Sequence, residues 1–216
     1  MELGGEPLVV RAVRAVLAGV RACEENPALV VTAPEGAVDD VRSLVEPLAE
    51  GCPLTVVTGG ASRQASVAAA LAALPDDVTA VLVHDAARPT VPADVVGRVL
   101  RAVREGRPAV VPALPVADTV KRVVPSADAP EPVVETVPRV ELRAVQTPQG
   151  FDAGLLRRAH AAAAAHADDE SVAASDDAGL VERLGEQVWC VRGDERAAKI
   201  TTERDLAVAE LLLEGR

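Results

Sequence analysis

The stretch Val81-Leu82-Val83-His84-Asp85-Ala86-Ala87-Arg88-Pro89 joins an apolar run to a polar turn. The apolar run predicts a buried strand over residues 79–84, with Asp85 just beyond its end. In open α/β sheets, ligands bind outside the carboxyl ends of the strands. We therefore expect Asp85 and Arg88 to lie at a binding edge. The alternative is that they only cap the next helix and pair with each other.

Strand and helix patterns alternate on both sides of this stretch. Predicted strands cover residues 28–32, Leu54–Thr58, 79–84 and 109–112, and predicted helices cover residues 7–23, 37–48, 64–74 and 93–105. Such alternation indicates a mainly parallel sheet covered by helices on both faces. The predicted fold is thus α/β, Rossmann-like and doubly wound, in a single domain over residues 1–216.

A protruding β-arm is predicted at about residues 117–141. Residues 119–124 and Val133–Val137 have strand character and flank a polar, proline-rich turn. The remaining predicted elements are a strand at 142–146, helices at 152–166 and 176–184, a strand at 187–191 and a helix at 203–213. The chain opens on Leu3-Gly4-Gly5-Glu6-Pro7, almost directly on a helix. Doubly wound folds normally begin with a central strand and a glycine-rich turn, so we expect the first central strand to be missing.

Composition excludes several classes of function. The formal net charge of −11 argues against binding to a nucleic-acid backbone, although one phosphorylated small molecule needs only local positive charge. No apolar run is long enough to span a membrane, and we see no secretion signal. The scattered cysteines and histidines lack metal-ligand spacing, which makes zinc improbable and predicts a reduced, cytoplasmic protein.

Only two of the 22 basic residues are lysines, Lys121 and Lys199. A lysine that persists in so arginine-rich a chain suggests a place where a compact ammonium is needed and a planar guanidinium does not fit. Both lysines lie in motif-like strings, at residues 118–122 and 198–202. We favour a functional role for the two together, against chance survival of two surface lysines.

Other strings at the ends of predicted elements carry candidate site residues. Gly59 and Gly60 follow a strand and allow a ligand to approach the backbone closely, with Ser66 on the next helix. Ser175 is a candidate N-cap for the helix that follows it. Asp85 suits Mg²⁺, which uses one or two carboxylates together with substrate phosphates, and Ala86 leaves room for a nucleotide.

Taken together, these strings resemble the 2-C-methyl-D-erythritol 4-phosphate cytidylyltransferase family of isoprenoid synthesis. The matching strings are GGASRQASV (59–67), VLVHDAARP (81–89), DTVKRV (118–123), QTPQGF (146–151), SDDAG (175–179) and AAKITTERDLAVAE (197–210). The resemblance covers essentially the whole chain from Leu3. It implies transfer of CMP from CTP to the sugar phosphate, with release of pyrophosphate and with Mg²⁺ as cofactor.

The resemblance also assigns roles to individual residues. Asp85 would hold the metal, Lys199 and Arg88 would serve catalysis, and the arm would exchange between the subunits of a homodimer. The nucleotide would lie against Gly59, Gly60, Ser66 and Ala86. The sugar phosphate would be held by Thr119, Lys121, Arg139 acting from the other subunit, Thr147 and Ser175.

The chain departs from the family pattern at its start, where the family has a segment of the form AAGxGxRxxxxxPK. We expect either that the cellular protein is longer than this sequence or that the chain is a non-catalytic homologue that binds a sugar phosphate. Ala61 and Ala197 are smaller departures. Within the enzyme class, another polyol phosphate such as ribitol 5-phosphate is the alternative substrate.

Overall fold

The computed structural model describes residues 1–167 and 174–214. The helices are α1 (Leu8–Arg21), α2 (Val38–Val45), α3 (Arg63–Ala72), α4 (Ala93–Arg104), α5 (Ala153–Ala162), α6 (Asp177–Arg183) and α7 (Glu203–Glu214). The strands are β1 (Glu2–Leu3), β2 (Glu6–Pro7), β3 (Leu29–Ala33), β4 (Leu54–Thr58), β5 (Ala80–Val83), β6 (Ala109–Pro115), β7 (Val120–Val123), β8 (Val133–Val137), β9 (Arg143–Val145), β10 (Gln149–Asp152) and β11 (Trp189–Arg192).

The main sheet has the strand order β11-β6-β10-β5, and β9 adds to the end of β6. Strand β10 pairs antiparallel with both β5 and β6, whereas β11 pairs parallel with β6. Strands β5, β6 and β11 therefore share one direction, and β3 and β4 form a further parallel pair. The α/β fold predicted from the sequence is confirmed. The antiparallel strand β10 at its centre was not predicted.

Helix α4 packs on the main sheet through its apolar face, and α1 packs on α4 in the same way. In α1 the buried side chains recur at helical spacing, and the close approach of α1 to α4 occurs at Gly19. A Cβ atom at Gly19 would lie 2.4 Å from Cβ of Val96, so only glycine permits this contact. Aliphatic side chains fill the core, and Phe151 of β10 is fully buried within it. No helix among residues 1–167 and 174–214 has the length and hydropathy needed to cross a membrane.

A groove of about 630 Å³ separates β3 from β5. Its two sides are the strand edges, with consecutive residues of β3 and of β5 lining it, while α1 and α3 form its floor and roof. Among the described residues no strand joins the β3–β4 pair to the main sheet. This gap matches the prediction that a central strand is missing.

We expect hydrogen exchange to distinguish the groove edges from the middle of the sheet. Alternate amides of β3 and β5 point away from their one paired neighbour, so they should exchange at least about tenfold faster than the amides of β6, which is paired on both sides. Exchange followed by mass spectrometry with residue resolution measures this difference. Equal protection of β5 and β6 would show that something fills the groove in solution.

The arm forms its own two-stranded sheet. Strands β7 and β8 pair antiparallel, with an irregularity between Arg122 and Val123, and belong neither to the main sheet nor to the β3–β4 pair. Valine side chains remain largely exposed on the arm and its return, at Val124, Val133, Val134 and Val140. Exposed apolar side chains gathered on one segment make the arm a candidate interaction surface.

Candidate active site

Asp85 lies directly after β5, at the carboxyl edge of the sheet, and three cationic side chains surround its carboxylate. Its Oδ1 is 3.3 Å from Nε of Arg63, and its Oδ2 is 3.3 Å from Nζ of Lys199 and 3.8 Å from Nε of Arg88. The Asp85 side chain is 15% exposed, so these charges act on each other through little water. The result is a positively charged cluster with one carboxylate at its centre.

Burial by itself would raise the pKa of Asp85, but the positive charges of Arg63 and Lys199 outweigh it and hold the pKa below its usual value. Burial lowers the pKa of Arg88, partly offset by the charge of Asp85. The Asp85 carboxylate is therefore ionised at neutral pH and can meet a cation brought by a substrate.

A chain of hydrogen bonds fixes the turn that carries Asp85. The backbone N–H of Asp85 donates to Oγ1 of Thr147 at 3.1 Å, and that hydroxyl donates to Nδ1 of His84 at 2.9 Å. Nε2–H of His84 donates in turn to the carbonyl of Arg88 at 3.1 Å. This directional chain requires the neutral ring, and burial agrees with it by lowering the pKa of His84 to about 4.

The same turn holds the segment that carries Lys199. Nη1 of Arg88 donates to the carbonyl of Ala197 at 2.6 Å, and the N–H of Ile200 donates to the carbonyl of Ala87 at 2.8 Å. One hydrogen bond before Lys199 and one after it thus attach this segment to the turn. Lys199 is placed beside Asp85 by the backbone rather than by its flexible stem.

The Gly59-Gly60 turn lies between β4 and α3. The N–H of Gly60 donates to Oγ of Ser66 at 3.1 Å, and Ser62 caps α3 by accepting from the N–H of Ala65 at 3.0 Å. A Cβ atom at Gly60 would lie 2.3 Å from Cβ of Ala65. The turn therefore depends on glycine and leaves Gly60 exposed at the same edge as α3 and Arg63.

Helix α6 begins beside the cluster, but its cap differs from the prediction. Asp176 is the N-cap and accepts from the N–H of Gly179 at 2.9 Å, whereas Ser175 is exposed and lies one residue earlier. The prediction of Ser175 as cap was wrong, because Asp176 is an equally good capping residue one position closer to the helix. Gln149 of β10 anchors this cap by donating to Oδ2 of Asp176 at 2.8 Å.

Three predicted site residues lie on the arm or its return. Thr119 is exposed, and Nζ of Lys121 donates to Oγ1 of Thr136 on the facing strand at 2.6 Å. Arg139 donates to the carbonyl of Ala117. Among the described residues of this chain, neither Lys121 nor Arg139 contacts Asp85. The structure brings Lys199, Arg88 and Thr147 to Asp85 but leaves the arm residues outside that cluster.

Of the predicted nucleotide-binding residues, Ala86 is exposed next to Asp85 and borders the groove between β3 and β5. Gly59 is partly buried, and a Cβ there would meet Oγ of Ser66 at 2.8 Å. The small size of these residues keeps the edge of the sheet open for a planar or sugar group.

The donor set fits Mg²⁺ only together with a substrate. The described residues contain no group of three or more His, Cys, Asp or Glu side chains able to hold a metal ion by themselves. Asp85 supplies one carboxylate, and Mg²⁺ commonly takes one or two carboxylates with the remainder from water and substrate phosphates. The site therefore matches a cation that arrives with a phosphorylated ligand.

Sequence reasoning missed three members of this cluster: Arg63, His84 and Asp177. All three lie in the strings quoted above: Arg63 in GGASRQASV, His84 in VLVHDAARP and Asp177 in SDDAG. A rule that every buried or ligand-facing carboxylate needs a cationic partner could have singled out Arg63. Nothing local links Asp177 to that arginine.

A mainly parallel α/β domain with this cationic edge, one ionised carboxylate and a glycine turn has the features of a nucleotidyltransferase. The family model for 2-C-methyl-D-erythritol 4-phosphate cytidylyltransferase matches residues 1–215. The chain therefore belongs to the 2-C-methyl-D-erythritol 4-phosphate cytidylyltransferase family. The resemblance found in the sequence is confirmed.

Named relatives agree with this assignment. The chain is 50% identical to the enzyme of that name from Streptomyces avermitilis, over 99% of this chain and 83% of the relative. It is 50% identical to the one from Streptomyces coelicolor, over 99% and 77%. These relatives identify the chain as a cytidylyltransferase of the isoprenoid pathway and do not favour ribitol 5-phosphate or a non-catalytic role.

Solved structures show the same fold. The cytidylyltransferase of that name from Thermus thermophilus has a TM-score of 0.74 and 39% identity, with 99% of this chain and 92% of that chain covered. The 4-diphosphocytidyl-2C-methyl-D-erythritol synthase from Anaerococcus prevotii has a TM-score of 0.84 and 26% identity, with the same coverage. The fold and the family thus rest on independent comparisons.

Proposed function

We propose that this chain transfers CMP from CTP to 2-C-methyl-D-erythritol 4-phosphate at the Asp85 cluster. An oxygen of the sugar phosphate attacks the α-phosphorus of CTP, the bond from that phosphorus to the bridging oxygen of the β-phosphate breaks, and pyrophosphate leaves. The observation that carries the proposal is the convergence of Arg63, Arg88 and Lys199 on one carboxylate at the carboxyl edge of the sheet.

These residues act by position and charge rather than by covalent catalysis. Lys199 is 44% exposed, so its ammonium can leave Asp85 and meet the phosphate oxygens on which charge accumulates. Arg88, at 13% exposure, is held more firmly and gives a fixed positive charge behind the reacting phosphorus. The Gly59-Gly60 turn with Ser66, and Ala86 beside Asp85, would hold the nucleotide.

Asp85 is the residue that would hold Mg²⁺ together with CTP. When bound, this ion would neutralise the charge that develops on the phosphate oxygens. Two features support the assignment: the lowered pKa of Asp85 and its place next to the exposed Ala86.

Thr119, Lys121, Arg139, Thr147 and Ser175 are proposed to hold the sugar phosphate. Thr147 is 4% exposed and its hydroxyl is already bonded to Asp85 and His84, so its contribution would come through the turn that it holds. The arm residues would complete the site in a homodimer, with Arg139 acting on the partner's site.

We further propose that residues 1–216 form one nucleotidyltransferase domain with the arm at about 117–141. We also propose that the protein works in the cytoplasm, where its free cysteines stay reduced.

The arm offers a direct test of the dimer. The double variant V133D/V134D places charge on both faces of β8, where each valine is 59% exposed, and should convert a dimer to a monomer. Light scattering after size-exclusion chromatography measures the mass. Val208→Asp on α7, 51% exposed and outside the arm, is the matched control and should not change the mass. A monomeric wild type, or an unchanged double variant, would contradict the proposal.

The function itself is tested by pyrophosphate release from the purified chain. CTP and 2-C-methyl-D-erythritol 4-phosphate should together give pyrophosphate, and ³¹P NMR should show a new phosphoanhydride (P–O–P) linkage between the phosphate of the sugar and that of CMP. Omission of either substrate, or of Mg²⁺, should abolish release. Ribitol 5-phosphate at equal concentration should compete poorly. Absence of turnover in a folded protein would refute the proposed activity of this chain.

A further inference from the structure

Behind Asp85 lies a second carboxylate that the chemistry above does not use. Arg63 bridges the two: its Nε is 3.3 Å from Oδ1 of Asp85, and its Nη1 is 2.7 Å from Oδ2 of Asp177. The second approach is an ion pair rather than an aligned hydrogen bond. The Arg63 guanidinium thus contacts the Asp85 carboxylate at the carboxyl edge of the sheet and the buried Asp177 carboxylate in the protein interior.

Asp177 is a fixed anchor for this bridge. Its side chain is 1% exposed, and its other oxygen, Oδ1, accepts from Nε2 of His160 at 2.9 Å. His160 is itself 5% exposed and lies on α5, while Asp177 begins α6. Because the Asp177 carboxylate is buried and bonded to His160 on the neighbouring helix, its position is fixed. Its ion pair with Arg63 therefore restricts the position of the Arg63 guanidinium.

Arg63 needs such an anchor because its side chain is long and 30% exposed. Asp85 alone would hold it by one contact, leaving most of its rotamers open. Burial alone would lower the pKa of Arg63, but Asp177 and Asp85 together raise it. The guanidinium is therefore charged and tied at both ends.

We propose that Arg63 and Asp177 are positioning residues that fix the orientation of the Asp85 carboxylate. Because Arg63 holds Oδ1, the other oxygen, Oδ2, is left facing Lys199 and Arg88. This inference rests on the proposed function, since it assigns to that site the device that aims its carboxylate. Supporting groups of this kind typically change metal affinity or activity about 10- to 100-fold when they are removed.

Asp177 also joins α5 to α6, so a purely structural role is the competing explanation. The variant Asp177→Asn separates the two, because asparagine keeps the shape and can still accept from His160 while losing the charge that attracts Arg63. We expect kcat to fall about 10- to 100-fold and KM for the sugar phosphate to change less than about threefold. A structural role would lower thermal stability and leave kcat per folded molecule unchanged.

The orientation of the Asp85 side chain can be measured independently of activity. In a crystal structure of Asp177→Asn, the Asp85 carboxylate should be rotated or split between conformers. Mn²⁺ affinity in the presence of CTP, followed by electron paramagnetic resonance, should fall about tenfold. An Asp85 carboxylate in its original position, with unchanged Mn²⁺ affinity, would overturn the proposal.

Another capping carboxylate gives a matched control. Asp152→Asn makes the same chemical change at the N-cap of α5, where asparagine can still accept from the N–H of Leu155, and it does not touch Arg63, so it should leave kcat and Asp85 unchanged. The double variant R63Q/D177N leaves no unpaired buried charge. If Arg63 and Asp177 act together, the double variant should lose no more activity than Arg63→Gln alone. A fold-loss equal to the product of the losses in the two single variants would show that they act independently and would contradict the proposal.

The outcome can be separated from a failure of the proposed function. Loss of all turnover in the wild-type chain would refute the activity but leave the crystallographic comparison of Asp85 intact. Normal wild-type turnover with full activity in Asp177→Asn would refute the positioning role and leave the activity standing.

Discussion

Replacing Lys199 with arginine is expected to lower kcat about 100-fold or more while the protein stays folded. The ammonium lies 3.3 Å from Asp85, which Arg63 and Arg88 also approach, and a third guanidinium in that space would compete with both arginines for the carboxylate. Loss of one well-placed donor to a developing phosphate charge typically costs about 10²–10³ in kcat. Steady-state pyrophosphate release measures the effect.

The stability of the Lys199→Arg variant should stay within about 0.5 kcal/mol of wild type, because the side chain is 44% exposed and its charge is kept. Urea denaturation gives the free energy of unfolding. Arg98→Lys makes the opposite exchange at an exposed pair with Asp94 and should alter neither quantity. If Lys199→Arg kept more than half of the wild-type rate, the argument for a compact ammonium at this position would be refuted.

Local patterns in the sequence were enough for most of the fold. Leu54–Thr58 was predicted with its observed bounds, and the helix predicted at residues 93–105 is observed as Ala93–Arg104. Such elements carry their own signal, because an apolar stripe repeats at the period of the element. The position of Asp85 followed in the same way, since a carboxylate after a buried strand must lie at the edge of the sheet.

The prediction failed where the structure depends on residues that are far apart in the chain. Strand β10 has only four residues, follows a proline and contains Gly150, so nothing local indicates a strand. Its place is set by partners on both sides and by the burial of Phe151. The bridge from Arg63 to Asp177 has the same origin, because these residues come from opposite halves of the chain.

The two lysines show both what composition can predict and what it cannot. The bias toward arginine predicts a functional role for Lys199 and Lys121 equally, yet of the two lysines only Lys199 lies beside Asp85 in this chain. Lys121 bonds across the arm to Thr136, and its proposed role depends on where a partner subunit would place the arm. Composition can indicate that a residue type matters, but it cannot say which surface the residue joins.

Replacing Asp85 with asparagine is expected to lower kcat about 10²–10³-fold, as measured by pyrophosphate release, and also to destabilise the fold. Asparagine keeps the shape but leaves Arg63, Arg88 and Lys199 facing one another without a central negative charge. Removing one partner of a fully buried pair costs about 3–5 kcal/mol. Lys199 and Arg63 are partly exposed, and screening reduces the expected loss to about 1–3 kcal/mol at pH 7.

The pH dependence of that loss identifies its cause. Because the pKa of Asp85 is lower in the folded state than in the unfolded chain, its stabilising contribution is present above the unfolded value of about 3.9 and disappears as the pH falls through the folded value. The difference in unfolding free energy between wild type and Asp85→Asn should therefore be largest at pH 7 and shrink below about pH 4. Asp94→Asn, at an exposed pair, is the control and should show little difference at either pH. A difference for Asp85→Asn that stays constant across this range would mean that the lost contact is not electrostatic.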